Sequence, residues 1–520
     1  MQNLRLLLEN TAGKFPDKTA LKSVAGNLSY QELNAASNQV ARGLLSLGIR
    51  HGDRVAMLLP NIIEFVVFYF GIAKMGAVVA PLDMRYKTEE LQQIFQSCQP
   101  KAVVAGPEFL AGFNPETFPS VRQTIVIGEN TGEYTTSYAE MLNSFPEDGI
   151  GIGIIPEDLA TITYASSPTT NPCGSTFTHS TLCREAEVSS LGLEQTEDDI
   201  TPLFALPMFH NFGLATVMMN TIYKGSTLII VPGTGISIHT LLDTIEQEKC
   251  TVLFGVPYIY ALAVKMAKRE GVHHDLSSLH LCCSGGAPLA VKVIKEFKQY
   301  YGINLADIWG LTEGVSAVTT QLSDGSGRIG SVGKALPGWK VAIVNADNKQ
   351  LPPNHTGEIV IQGPMTSGYY QHPQETAKLI QNGWLHTGDL GKLNEDGFLF
   401  LTGRKKNMII LKGQNIYPVD IEQVLVEHPM VAAARVSGIP DKLRGEIVRA
   451  TIQLKPDSEI NEHEIRQYCL QRMADYKSPR QVVFQEKPLP KTNAEHRGVH
   501  TLVNRLKSGV IPPHQHKSKP

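Results

Sequence analysis

After Ser29, apolar residues recur at Leu33, Ala36, Val40, Leu44 and Leu47, the spacing of three or four that lines one face of a helix. Ser29 and Glu32 stand three apart at its start. In that capping box the hydroxyl accepts from a free amide and the carboxylate reaches back to the amide of the cap, while Gly48 closes the run. Apolar runs of strand length follow at Arg54–Leu59, Ala77–Pro81, Ala102–Ala105, Thr124–Ile127 and Leu228–Val231, separated by helical stretches such as Glu64–Lys74. This alternation predicts parallel α/β layers. The longest apolar stretch, Ile62 to Leu82, nears membrane-spanning length. It is interrupted by Glu64, Gly71, Lys74 and Gly76, and reads as a core helix followed by a buried strand.

From about Gly325 to Gly363 the texture changes. Short strands, Trp339–Val344 and Glu358–Gln362, sit among Gly, Pro and Asn turns and predict a small antiparallel or barrel-like unit. A junction at Thr402–Asn407 precedes a compact α/β segment that runs to about Leu506. The Pro- and Lys-rich end, Ser508–Pro520, reads as a disordered tail rather than as a metal site built on His514 and His516. At 520 residues the chain is long enough for several domains.

The charge count, 47 Lys+Arg against 50 Asp+Glu, leaves no basic surplus for a nucleic-acid backbone. Seven cysteines, an odd number without C-x-x-C spacing, fit reduced thiols rather than a disulfide framework or a zinc site. Arg5 and Glu9 interrupt the first apolar residues too soon for a signal peptide, so a cytoplasmic protein with no membrane span is expected.

Motifs taken singly are weak here, but their order is informative. Leu206–Gly213 (LPMFHNFG) is followed by Ser284–Leu289 (SGGAPL) and Trp309–Glu313 (WGLTE). Then come Gly357-Glu-Ile, Trp384–Asp389 (WLHTGD), Gly403-Arg404, and Gly413–Pro418 (GQNIYP) with Glu422. This series, with residues 51–82 before it, resembles the adenylate-forming superfamily of acyl-CoA synthetases, firefly luciferase and nonribosomal-peptide adenylation domains, over about residues 10–505. Members make an acyl-adenylate from a carboxylic acid and ATP, then pass the acyl group to the thiol of coenzyme A or a carrier-protein phosphopantetheine.

The resemblance implies a large N-terminal domain of layered α/β subdomains plus a small β-barrel (1–403). A hinge (404–407) centred on Lys406 and a small mobile α+β lid domain (408–507) would follow, with the tail at 508–520. It also implies site roles. Asp389 would hold the ribose hydroxyls, Arg404 would lie near ribose and phosphates, and Trp309, in place of a usual Tyr, would face adenine beside Gly285 and Ala287. Glu313 would bind Mg²⁺ and Thr312 would sit by the phosphates. His210 and Phe212 match acyl-pocket positions, and Gly413 matches the loop of the pantetheine tunnel.

Two stretches depart from the family, and both bear on ATP. The phosphate loop, usually Tyr-Thr-Ser-Gly-Thr-Thr-Gly-x-Pro-Lys-Gly, reads here Tyr164-Ala-Ser-Ser-Pro-Thr-Thr-Asn-Pro-Cys-Gly174. Ser167 and Thr170 replace glycines that allow close approach to an anion, and Cys173 replaces the cation. Pro168 deletes a backbone N–H. The second departure is at the C-terminus, where Pro-Lys-Thr-x-x-Gly-Lys has become Pro490-Lys-Thr-Asn-Ala-Glu-His496. Glu495 brings negative charge, and His496 is shorter than lysine and mostly neutral at pH 7. Lys491 stands at a different motif position and is not expected to substitute.

The expectation is therefore a ligase-like protein deficient in adenylation. It would act as a partner or activating subunit, or as an ATP-independent acyl transferase, in a carrier-protein pathway of polyketide type. A carrier protein or phosphopantetheinyl transferase would be its partner, and a small carboxylic acid or acyl thioester its ligand. ATP or AMP with Mg²⁺, and CoA or phosphopantetheine, are the implied cofactors. Cys173 is the candidate thiol of the transferase variant. The alternative is an active ATP-dependent carboxylic acid–CoA ligase with atypical motifs.

Overall fold

The structure, a computed structural model, describes residues 2–114, 116–128, 135–164, 172–231, 237–270, 274–321, 323–404, 408–441, 443–456 and 458–485. Ser167, Pro168, Thr170, Lys406, Glu495, His496 and the tail therefore lie outside the described residues.

The first layer is a sheet in the order Thr135–Ser137, Gln123–Val126, Ala102–Ala105, Arg54–Leu58, Val78–Pro81, Leu159–Thr163, Ser175–Thr178. All neighbours are parallel except the last pair. Its central strands are buried on both faces, which is why they read as unbroken apolar runs rather than as alternation. The capped helix Tyr30–Ser46 has both hydrogen bonds of its box, Glu32 N to Ser29 Oγ at 3.2 Å and Ser29 N to Glu32 Oε2 at 2.7 Å. It crosses the helix Ile63–Lys74 so closely that a Cβ on Gly71 would lie 2.6 Å from Val40 Cγ1.

The apolar stretch that neared membrane length is thus a core helix and a strand, and among the described residues no helix is long and apolar enough to cross a membrane. Lys74 ends inside the protein, where its ammonium donates to Asn38 Oδ1 at 2.6 Å. Burial pulls its pKa down to about 7.

Two further sheets complete the α/β part. One runs Ile200–Leu203, Thr227–Ile230, Thr19–Ser23, Gly26–Ser29; the other runs Val252–Gly255, Leu281–Ser284, Ala306–Gly310, Ala317–Thr320, Lys334–Ala335. Next comes the antiparallel unit, Lys340–Val344, Gly357–Gln362, Trp384–Leu393 and Ile380–Gln381, with Leu399–Arg404 added on Trp384–Leu393. It continues past Gly363 to Arg404, because the long strand Trp384–Leu393 pairs on both edges. Residues 409–482 hold a second, separate core around Ile416, Ile421, Leu425, Val448, Ile452 and Ile465. None of the seven cysteines forms a disulfide.

His179 ties the chain's start to the core, its Nδ1 accepting from Leu4 N at 3.3 Å. Burial lowers its pKa to about 4. The unfolded chain binds this proton near pH 6.5, so stability from the neutral ring is complete above 6.5 and is lost as pH falls towards 4. Chemical denaturation of the wild type is expected to lose about 2–3 kcal/mol from this group across that window. A His179→Gln variant should show a flatter profile there; an equal slope in both would contradict this.

Candidate functional site

The site forms where the third sheet meets the antiparallel unit. Ala306–Gly310 delivers Trp309, whose indole Nε1 donates to Asp389 Oδ2 at 3.0 Å, with Asp389 only 7% exposed. Gly310 follows the Trp of necessity, since a Cβ there would stand 1.6 Å from Ser316 O. Asp389 in turn lies in register opposite Arg404 across the strands Trp384–Leu393 and Leu399–Arg404. One strand pair thus holds, at opposed backbone positions, the two residues that the resemblance assigned to ribose and phosphate.

Glu313 sits in the short turn Thr312–Gly314. The next residue but one, Val315, takes a φ of 59°. That backbone is unusual for a β-branched residue and costs on the order of 1–3 kcal/mol. Tyr369 Oη donates to Glu313 Oε1 at 2.7 Å, and Thr366 N donates to Glu313 O at 2.8 Å.

The same segment, residues 363–370, grips the downstream end of the phosphate-loop region. Tyr370 N donates to Gly174 O at 2.8 Å, Ser367 N to Thr176 O at 3.0 Å, and Ser175 bridges to Tyr369. Cys173 is half-buried just before this clamp. Residues 363–370 therefore fasten the end of the phosphate loop to the turn that carries Glu313. Nothing in the residue pattern marks Tyr369, whose Gly-Tyr-Tyr context reads as an ordinary turn.

On the other side, Asn211 Nδ2 donates to Thr312 O at 3.1 Å, joining the His210–Phe212 segment to the same turn. His210 Nδ1 accepts from Phe212 N at 3.2 Å, and burial holds its pKa below the ordinary value against the pull of Asp83. The neutral ring then carries its proton on Nε2, free to serve as a donor. Phe212 opens a π-helix, Phe212–Met219, buried along its whole length, a distortion that apolar periodicity does not reveal.

The Gly285–Ala287 loop leaves the strand Leu281–Ser284, and Gly285 packs so near Ile308 that a Cβ would lie 2.8 Å from its Cγ1. Ser284 Oγ, fully buried beside that loop, has no hydrogen-bond partner among the described residues. A ligand or water must satisfy it to avoid a desolvation penalty.

Gly413 reaches the site from the C-terminal domain. A Cβ on Gly286 would lie 3.6 Å from Gly413 Cα, one on Gly413 would lie 2.6 Å from Val256 Cγ1, and Lys412 Nζ stands 4.9 Å from the Tyr258 ring centroid. Direct contacts thus link Trp309 to Asp389 and the His210–Phe212 segment to the Thr312–Gly314 turn, Gly413 lies beside Gly286, and Arg404 shares a backbone register with Asp389.

A Mg–nucleotide suits these donors. Among the described residues no cluster of three or more His, Cys, Asp or Glu forms a metal site. Mg²⁺ arriving on phosphates needs little more than one hard carboxylate, because phosphate oxygens and water complete its shell.

Fold and cleft define a two-domain protein of the acyl-activating type. The AMP-binding enzyme family matches residues 8–370, and its AMP-binding enzyme C-terminal domain matches residues 420–495. The chain belongs to this adenylate-forming family, whose members use ATP, Mg²⁺ and CoA. It is 32% identical to the putative acyl–CoA ligase YdaB of Bacillus subtilis, over 95% of this chain and 97% of that protein.

Among solved structures, it is similar to o-succinylbenzoate CoA synthetase of Bacillus subtilis bound to a product analogue. The TM-score is 0.82 at 28% identity, covering 94% of this chain and 96% of that one. The anthranilate CoA ligase AuaEII in complex with anthranoyl-AMP gives a TM-score of 0.73 at 27% identity, covering 97% and 98%.

Proposed function

We propose that this chain performs the thiol half of the ligase reaction: it passes an acyl group derived from a small carboxylic acid to a pantetheine thiol, and its own ATP-dependent adenylation is slow. The transfer balances as acyl-adenylate plus thiol giving thioester, AMP and a proton. With an acyl thioester as donor, one thiol replaces another. Coenzyme A or the phosphopantetheine of a carrier protein would supply the thiol. If transfer is to a carrier, the chain would serve as a partner or activating subunit in such a pathway.

The observation that carries this reading is the Gly413 loop seated on Gly286 and Val256, an arrangement that brings the family's tunnel loop to the cleft. On this reading Asp389, Trp309 and Arg404 keep hold of the nucleoside. Cys173, and residues 167, 168 and 170 before it, give triphosphate a poor cradle, and His496 cannot replace the lysine that would stabilise charge during adenylation.

A second reading, a working ATP-dependent carboxylic acid–CoA ligase, is favoured by the paired state of Asp389 with Trp309 and of Glu313 with Tyr369. Calorimetry with AMP and with Mg-ATP separates the two. AMP is expected to bind as tightly as Mg-ATP or more tightly. Micromolar Mg-ATP beside much weaker AMP would show that the altered loop still cradles phosphates.

A further inference from the structure

From just after strand Val78–Pro81 into the first turn of helix Thr88–Cys98 runs a charged stretch, Asp83–Glu90, that the motif series does not account for. Arg85, Tyr86 and Glu90 of this stretch meet the C-terminal domain. Glu90 Oε1 receives Lys477 Nζ at 2.6 Å, with Glu90 4% and Lys477 2% exposed. The other oxygen, Oε2, accepts from Lys87 N at 3.0 Å and from Ala474 N at 3.1 Å.

Arg85 is held flat by Asp83 through two bonds, Nε to Oδ1 at 2.9 Å and Nη2 to Oδ2 at 2.7 Å. In that pose its guanidinium lies 4.5 Å from the Tyr476 ring centroid. With its amide oxygen turned towards Arg85, Gln414 accepts from Nη1 at 3.2 Å. Gln414 is the residue after Gly413. Tyr86 packs into the core of the C-terminal domain, and Lys477 Nζ stands 5.2 Å from its ring centroid.

We infer that Asp83, Arg85 and Glu90 form a receptor for the Asp475–Lys477 turn, and that Glu90 and Lys477 are positioning residues for thiol transfer: they hold the C-terminal domain so that the Gly413 loop closes on the cleft. This rests on the thiol-transfer reading above. The physics makes the pair a lock rather than a general stabiliser. Glu90 belongs to the N-terminal domain and Lys477 to the C-terminal one. When the domains part, each charge meets water and needs no partner. When they close, both leave water together, and the pair with its two backbone N–H donors must replace the lost hydration. Removing one partner therefore penalises the closed arrangement alone. Arg85 adds directionality, since its planar fork fits Asp83 on one edge while its face meets Tyr476.

The test uses the full chain with three variants: Lys477→Met, Glu90→Gln, and both together. Gln keeps an oxygen for the amides of Lys87 and Ala474, and Met fills the space of the Lys stem. Solution X-ray scattering should show each single variant shifted towards a more extended domain arrangement. Its KM for CoA, with a synthetic acyl-adenylate as donor, should rise about tenfold or more at a nearly unchanged kcat.

The double variant should recover much of the closed profile, because no buried charge is left unpaired. Single variants that match the wild type in scattering would overturn the proposal. So would a double variant that merely sums the two losses. Wild-type protein with no thiol transfer would sink the functional reading instead, and the scattering comparison would still decide on the lock.

Discussion

Changing His496 back to lysine is expected to leave pyrophosphate exchange close to that of the parent. The full repair is expected to raise it on the order of 10²–10³-fold. The reason is that the two departures affect different steps. Residues 167, 168, 170 and 173 concern the hold on triphosphate, whereas position 496 concerns charge that develops as the carboxylate attacks.

A lysine delivered to a nucleotide that is not held has nothing to stabilise. A rebuilt loop (Ser167→Gly, Pro168→Thr, Thr170→Gly, Cys173→Lys) should restore Mg-ATP binding while adenylation stays slow. Only the combination with His496→Lys and Glu495→Gly should exceed the product of the parts, as groups acting on one transition state are not additive.

The frame for such a repair is in place. Thr163 and Ser175, flanking the loop, are in antiparallel register, and Gly174 is gripped by Tyr370 N at 2.8 Å. Gly174 itself must stay glycine, since a Cβ would lie 2.4 Å from Ile162 Cγ2. Full exchange from His496→Lys alone would show that the loop was never disabled.

Much of this frame is legible in the sequence because it rests on local rules. The Ser29–Glu32 box, the buried strand Ala102–Ala105 and the glycine at 48 each follow from spacing and residue type, and they stand where the pattern puts them. Motif order singled out Trp309 and Asp389, which the fold joins by a hydrogen bond, and Gly413, which it sets beside Gly286. What sequence could not supply are contacts between residues distant along the chain.

Tyr369 meets Glu313 across 56 positions, and Lys477 meets Glu90 across 387. Neither carries a local signature. An interior tyrosine and a lysine near the C-terminus read as core and surface until the fold brings their partners to them. The π-helix at Phe212–Met219 escaped for a different reason: with Thr216 its single polar side chain, and that one buried, the run has no polar face from which to read its period.

The lysine at 74 shows the reverse case. In the sequence it argued against a membrane span. In the fold it is buried all the same, with Asn34 and Asn38 supplying acceptors from the neighbouring helix. A charge in an apolar run therefore signalled a polar partner rather than exposure.

On the proposed reading the thiol half-reaction outlasts the adenylation half in this chain, and one preparation can measure both. Pyrophosphate exchange would be followed with a broad panel of carboxylic acids. Thioester formation would be followed from the matching synthetic acyl-adenylates with CoA and with a phosphopantetheine-bearing carrier. The account predicts transfer from at least one adenylate, with exchange slower by about 10²-fold or more for every acid in the panel. Exchange with any acid at a rate matching its transfer would contradict the account and establish a complete ligase.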